Sequence, residues 1–484
     1  MRGILDFMKT GTRFFFLLFY ISLPVFGFCQ NPWTLQQCID HALENNIQIR
    51  QTELNTELNQ VYKSQSIANI FPSLNGSASQ NYFYGRSIDP FTNSFTTSQV
   101  RSNNFALSSS VSLFEGFQLQ NSLRQSQLNY LSSQADLQKV RNDISLNVVT
   151  YYLQVLYNKE LLASTRQQVE ATIVQRDKIS RMFELGSVSK GNLLDMEAQL
   201  ASDELRQVQA QSSYDQSLLS LTQLLELNTD TEFKIQDPAL SAPTLPADQM
   251  NTNAIFSTAL TTQPDIHSYE LRVKSAAKGL SIARGGRYPR LVLSGSLGTN
   301  FSTSSQDIVG YDFQPPSTVF SGFTGSGDSV YTFVNNTKAN FEQTPFRDQL
   351  DNNLGRSVGF SLQIPLFNGW ATKTNVSRAK INLEQSRLNL DQTRKNLLKS
   401  VQQAVSDAYS AFKRYEAGEK SQAALTESFN FNQQRYDLGL ISSYDYLLVK
   451  NNLAKADADL LQAKYDFIFR IKIIDFYQGK KLTF

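Results

Sequence analysis

The chain is poor in the residues that most often carry chemistry: 484 residues include two cysteines and two histidines. His41 and His267 each lie on an amphipathic helical pattern with no Cys or His at metal-ligand spacing, so both read as surface or packing residues and no metal site is expected. No serine sits in a Gly-x-Ser-x-Gly turn, and no glycine loop ends in Lys-Ser or Lys-Thr. The glycines from Gly322 to Gly327 bear a superficial likeness to a phosphate-binding fingerprint but have no parallel strand-helix unit around them, so they read as a loop. Carboxylates are numerous but scattered along helical stretches, the pattern of solvated faces. No catalytic residue and no cofactor is assigned.

Long apolar runs are also missing. Beyond Phe28 nothing approaches the roughly 18 consecutive apolar residues of a membrane helix, so any passage through a membrane must be made by β-barrel. The single apolar run, from Phe14 to Phe28, follows Arg2, Lys9 and Arg13 and stops at Gly27-Phe28-Cys29, the pattern of a secretory leader. Residues 1–29 are expected to be removed. A second reading makes Cys29 a lipidated residue, although Phe28 stands where a lipoprotein has a small one. Removal takes Arg2, Lys9, Arg13 and Asp6, so 45 basic residues become 42 and 43 acidic become 42, and a chain without net charge offers nothing to nucleic acid. Cys38 is then alone, so an exported chain of about 455 residues must hold without an internal disulfide.

What the sequence does contain is itself, twice. Ala42-Leu43, Ile49, Glu53-Leu54, Ser64, Pro72 and Leu74 recur 217 residues later, from Ala259-Leu260 to Leu291. Leu113-Phe114-Glu115-Gly116 recurs as Leu366-Phe367-Asn368-Gly369, and Leu185-Gly186-Ser187-Val188-Ser189 as Leu438-Gly439-Leu440-Ile441-Ser442, both 253 residues on. A constant offset over the 70 residues between the paired glycines means that neither copy gained or lost a residue there, as a rigid rod requires. Leu137, Ile144 and Tyr151, with Val148, Val155 and Leu162, keep a seven-residue period, and Leu390, Leu397, Ala404, Val401 and Ala408 repeat it. That period implies coiled-coil packing, and without proline from 117 to 185 or from 370 to 438 each rod can run for about 105 Å. Gly186 and Gly439 suit the left-handed stop of a helix, and Ser189 and Ser442 can cap the returning helices, which run from about Gly191 to Leu227 and from about Tyr444 to Tyr477. Asn192 and Asp445 stand three residues past those caps, as in a capping box.

Period-two alternation precedes each rod, at Phe105–Leu113 and Val358–Leu366, with a serine-rich second face at Ser108, Ser110, Ser112, Ser357 and Ser361. Two more strands are expected at Leu74–Arg86, which carries Tyr82 and Tyr84, and at Leu291–Phe301. Four strands fall short of the roughly eight of the smallest membrane barrels, so closure demands several chains. The 36-residue change of offset is expected as one long loop, Ser302 to Leu354, rich in Gly, Ser and Asn.

The order of these elements, with Trp33-Thr34-Leu35, the Leu-Phe-x-Gly pair and the Leu-Gly-x-x-Ser pair, resembles the TolC-type outer-membrane efflux protein family over essentially the whole mature chain. The resemblance implies a mainly α fold with a membrane β-barrel contribution: repeats at 30–227 and 251–478, a proline-bearing equatorial link at 228–250 and a tail at 479–484. It implies a homotrimer in outer-membrane lipid that reaches into the periplasm, where a periplasmic adaptor and an inner-membrane transporter hand over solutes for export. Adaptor docking would fall on the tips at Leu185, Gly186, Ser189, Leu438, Gly439 and Ser442, and the pore gate on Asp195 and Asp445. Asn192 departs from the acidic residue implied at its position, which puts the first copy's share of the gate in doubt. The alternatives are an outer-membrane coiled-coil scaffold that conducts nothing, and an exported enzyme on a stalk.

Overall fold

A computed structural model of the chain describes residues 32–88, 95–227, 233–238 and 251–482. The expected leader and Cys29, and most of the 228–250 link, lie outside the described residues.

The first repeat runs α1 (Leu35–Asn45), α2 (Ile47–Ala68), β1 (Ser73–Ile88), β2 (Phe95–Glu115), α3 (Gln118–Glu184) and α4 (Lys190–Leu224). The second runs α5 (Thr252–Thr262), α6 (Pro264–Gly285), β3 (Arg290–Ser302), β4 (Gln306–Phe323), β5 (Ser329–Gln343), α7 (Phe346–Asn352), β6 (Gly355–Gln363), α8 (Ala371–Asp437) and α9 (Ser443–Tyr477). Both rods, α3 and α8, have 67 residues and both returning helices have 35, which is the constant offset made into structure. Each rod is therefore about 100 Å long. The Leu-Phe-x-Gly motif marks the corner where strand becomes rod. Gly116-Phe117 and Gly369-Trp370 both take left-handed φ, from 57° to 66°. A Cβ on Gly116 would stand 2.3 Å from the Gly285 carbonyl oxygen, so only glycine allows that approach.

The expected long loop is corrected. Most of Ser302 to Leu354 is the β4–β5 hairpin and the short helix α7, so the chain has six described strands, of which four form one sheet. Three register shifts, between Ile308 and Gly310, Gln314 and Ser317, and Phe320 and Gly322, break the alternation of β4, the first strand of the hairpin. The last sheet strand also stops at Gln363, short of the expected Leu366.

The rods pack as their period demands, with one correction. Ile144, Val148, Val155 and Leu162 are buried, as are Leu390, Leu397, Val401, Ala404 and Ala408. Tyr151, however, is 40% exposed, and its neighbour Tyr152 is buried instead. The Tyr152 hydroxyl donates to the Gln236 carbonyl at 2.7 Å, because the link returns across α3 and Ile235 bridges to Trp33. A heptad template sees only the hairpin seam, not this second surface. Burial among these groups pushes the Cys38 thiol up to about 12.

Short helices continue the returning ones. The Ile47 amide at the start of α2 donates to Glu226 Oε1 just past α4, at 2.9 Å, and Gln263 before α6 donates to the Phe476 carbonyl near the end of α9, at 3.2 Å. Equivalent ion pairs then tie each short helix to its rod: Arg141 to Glu53 at 2.7 Å and Arg394 to Glu270 at 2.8 Å.

Candidate functional site: a two-faced sheet and two hairpin tips

The sheet has the order β1-β2-β3-β6, antiparallel throughout, with β1 and β6 as its edges. Register decides its faces. Leu107 pairs with Leu297, Val111 with Leu293, Leu293 with Phe360 and Gly295 with Val358, all on one side. Val358 and Phe360 are 79% and 70% exposed there, and Tyr82 and Tyr84 continue the same face towards the end remote from the helices. On the other side Ser108 pairs with Ser296 and Ser296 with Ser357, while Ser73 pairs with Ser110 and Ser110 with Ser294. Hydroxyls meet across the strands, Ser296 Oγ to Ser357 Oγ at 2.7 Å and Ser73 Oγ to Ser110 Oγ at 3.3 Å. One side suits hydrocarbon and the other water, as in a barrel wall.

At the opposite end the two tips are built alike. Gly186 has φ 74°, its amide donates to the Phe183 carbonyl at 2.8 Å, and the Ser187 amide reaches the Met182 carbonyl at 2.9 Å. Gly439 has φ 74°, with matching bonds to Tyr436 at 2.9 Å and from Leu440 to Arg435 at 2.8 Å. This paired arrangement satisfies the last carbonyls of each rod and needs a residue at ease with positive φ. Ser189 Oγ then accepts from the Asn192 amide at 3.4 Å, and Ser442 Oγ from the Asp445 amide at 3.1 Å. Leu185 and Leu438 point outward, 83% and 74% exposed.

The two expected gate carboxylates do not meet each other. Asp445 accepts a 2.7 Å bond from the Ser442 hydroxyl of its own cap, so it closes the capping motif through its side chain. Asp195 accepts from Ser443 Oγ at 2.8 Å, tying the first returning helix to the second.

Sequence reasoning missed a buried polar knot further along the same helices. Asp203 on α4 and Lys450 on α9 are 1% and 6% exposed, with Nζ and Oδ2 3.8 Å apart. Thr172 on α3 donates to Asp203 at 2.6 Å and accepts from Lys450 at 2.5 Å, and Gln199 donates to Asp203 at 2.8 Å. Burial holds the Lys450 pKa below its ordinary value, against the pull of Asp203. The signal was a lapse in the repeat: with the 253 offset, Lys450 stands opposite Glu197, and Asp203 opposite Ala456. Lys178 to Asp437, at 2.7 Å, is a second cross-hairpin pair nearer the tips.

His41 lies edge-on to Trp33 with ring centroids 5.2 Å apart, and His267 is exposed. No helix among the described residues is long and apolar enough to cross a membrane.

Rods of fixed length joined to a sheet with one oily and one hydroxyl face define an outer-membrane channel protein that extends into the periplasm. The model of the outer membrane efflux protein family matches residues 38–226 and 255–468. The chain belongs to that family, which is non-enzymatic. The solvent efflux pump outer membrane protein SrpC of Pseudomonas putida is 24% identical over 450 residues, 91% of this chain and 84% of that protein. The solved channel CusC is 18% identical, covers 92% of both chains and superposes with a TM-score of 0.74. The outer-membrane channel CmeC of Campylobacter jejuni is 19% identical, with coverage of 92% and 85% and a TM-score of 0.71.

Proposed function

We propose that three copies of the chain pair β6 of one with β1 of the next, closing one barrel whose serine face lines the bore. The observation that carries this reading is the four-stranded sheet itself, two-faced and with both edges without a partner strand among the described residues. Open edges do not survive in hydrocarbon, where each unpaired amide or carbonyl costs several kcal/mol. Two copies would give about eight strands, which side chains fill, so three is the smallest number that opens an aqueous bore.

Below the barrel the rods and returning helices continue the duct towards the inner membrane. The repeats at 30–227 and 251–478 supply equivalent hairpins, joined at 228–250, after removal of a leader at 1–29; 479–484 is a short tail. A periplasmic adaptor docks on the tips through Leu185, Gly186, Ser189, Leu438, Gly439 and Ser442, and an inner-membrane transporter loads the duct. Asp195 and Asp445 form rings of acidic groups at the narrow end. The duct is passive, and its driving force belongs to the transporter. The mass of the detergent-extracted particle tests the assembly: three chains are expected, and a stable folded monomer would overturn it.

A further inference from the structure

The β4–β5 ribbon is the part of the chain that the duct does not use. It grows from the end of the sheet remote from the helices, between β3 and the edge strand β6. Among the described residues it packs along no other element. Its root is fixed: the buried Gln349 side chain bonds the Ser302 amide at 2.9 Å, the Ser302 carbonyl at 3.0 Å and the Thr344 carbonyl at 2.8 Å, and the Thr344 amide bonds the Ser305 carbonyl at 3.1 Å.

Register sorts the ribbon into two faces. All three register shifts add a residue to β4, so β5 alternates regularly and assigns the faces. On the odd-numbered face of β5 stand Tyr331, Phe333 and Phe341, opposite Phe320, Thr318 and Ile308, with Tyr311 and Phe313 further along the same face. Phe313 is 82% and Phe333 76% exposed. On the even-numbered face stand every charged residue of the two strands, Lys338 and Glu342 opposite Asp312 and Asp307. An isolated two-stranded ribbon is marginal in water, and an aromatic face of this length needs a cover.

We infer that the cover is the same face of the ribbons from the other two copies, packed together above the external mouth of the duct. The inference rests on the proposed trimer. Twelve strands about 4.8 Å apart, tilted by about 40°, give a rim about 24 Å across, so three ribbon roots stand about 21 Å from one another. Each ribbon extends about 50 Å, more than twice that spacing. Tethering at such distances makes the local concentration of the other two faces millimolar or above. Charge disfavours the rival cover, an anionic membrane surface: Asp307, Asp312, Asp328 and Glu342 face one basic residue, Lys338. Turned to the threefold axis, the aromatic faces shed water while the acidic faces stay solvated.

Single cysteines at Tyr311, Thr318 and Phe333 on the aromatic face, and at Asp312 and Lys338 on the polar one, test this in intact outer membranes with a short bismaleimide. The positions are exposed, and the native Cys38 is buried with its thiol pushed up to about 12, so it contributes no background. The expected result is chain pairs from Y311C, T318C and F333C at several times the yield from D312C and K338C. Equal yields from both faces, or none from the aromatic face in particles of trimeric mass, would overturn the ribbon packing and leave the trimer standing. Quenching of a fluorophore on T318C by nitroxide lipids would assign the face to the membrane instead. A monomeric particle mass would remove the trimer reading and this inference together.

Discussion

At the residue scale, Gly186 and Gly439 and the Asp203–Lys450 pair raise separate questions. A Cβ on either glycine would meet nothing within 4 Å, so the cost of valine there is backbone strain alone, on the order of 1 kcal/mol or more at each site. The double variant G186V/G439V should therefore assemble normally and lose export; unchanged export would remove the tips as the adaptor contact. The buried pair predicts a pH effect. Asp203→Ala strands the Lys450 charge in the hairpin interior and should cost about 3 kcal/mol at neutral pH. Lys450 has a folded pKa below its ordinary 10.5, so between those two values the unfolded chain binds the extra proton. Stability then rises with pH across that window in the wild type; removing Asp203, whose charge raises the Lys450 pKa, lowers the folded value further, so the deficit of D203A should shrink as the pH climbs to the wild-type folded value and stay level above it, read by thermal unfolding in detergent. A deficit that does not change with pH would mean that Lys450 is not the stranded group. If Asp195 and Asp445 form the proposed gate, D195N/D445N should weaken cation selectivity and block by multivalent cations, because rings of three carboxylates would concentrate cations. Should both properties persist while thermal stability falls, Asp445 acts as the cap seen in the structure and the gate lies elsewhere.

At the scale of elements, the rods were legible because two copies of one sequence keep the same spacing, which chance does not preserve over 70 residues. Val148 is fully buried whereas Tyr151 is 40% exposed, so Val148→Asp should abolish assembled particles and Tyr151→Asp should leave them intact. An unpaired carboxylate at the first position costs several kcal/mol. Equal amounts of assembled particle from both variants would mean that the seam is misplaced. The same contrast shows why reading failed at Tyr151: the heptad describes helix against helix, and the segment around Ile235 covers α3 from another side. Asp203 and Lys450 were hidden for a related reason, since pairs joining different helices leave no local period. Strand β4 escaped because each extra residue in it shifts its alternation by one, and a period-two pattern does not survive three such shifts.

At the scale of the molecule, chain and assembly divide the work. The chain supplies a sheet that is two-faced but open, and hairpins whose seams hold together without lining a bore by themselves. In the proposed trimer, closing the sheet edges among copies supplies both the membrane wall and the water path, so that oligomer and function would arise in one step. The most direct measurement is single-channel conductance of the purified particle in planar bilayers, alongside its mass. Uniform steps from particles of three chains, in the wild type or in D195N/D445N, are the expected result. Particles that insert and carry no current in either form would contradict the duct and leave a scaffold on the outer membrane.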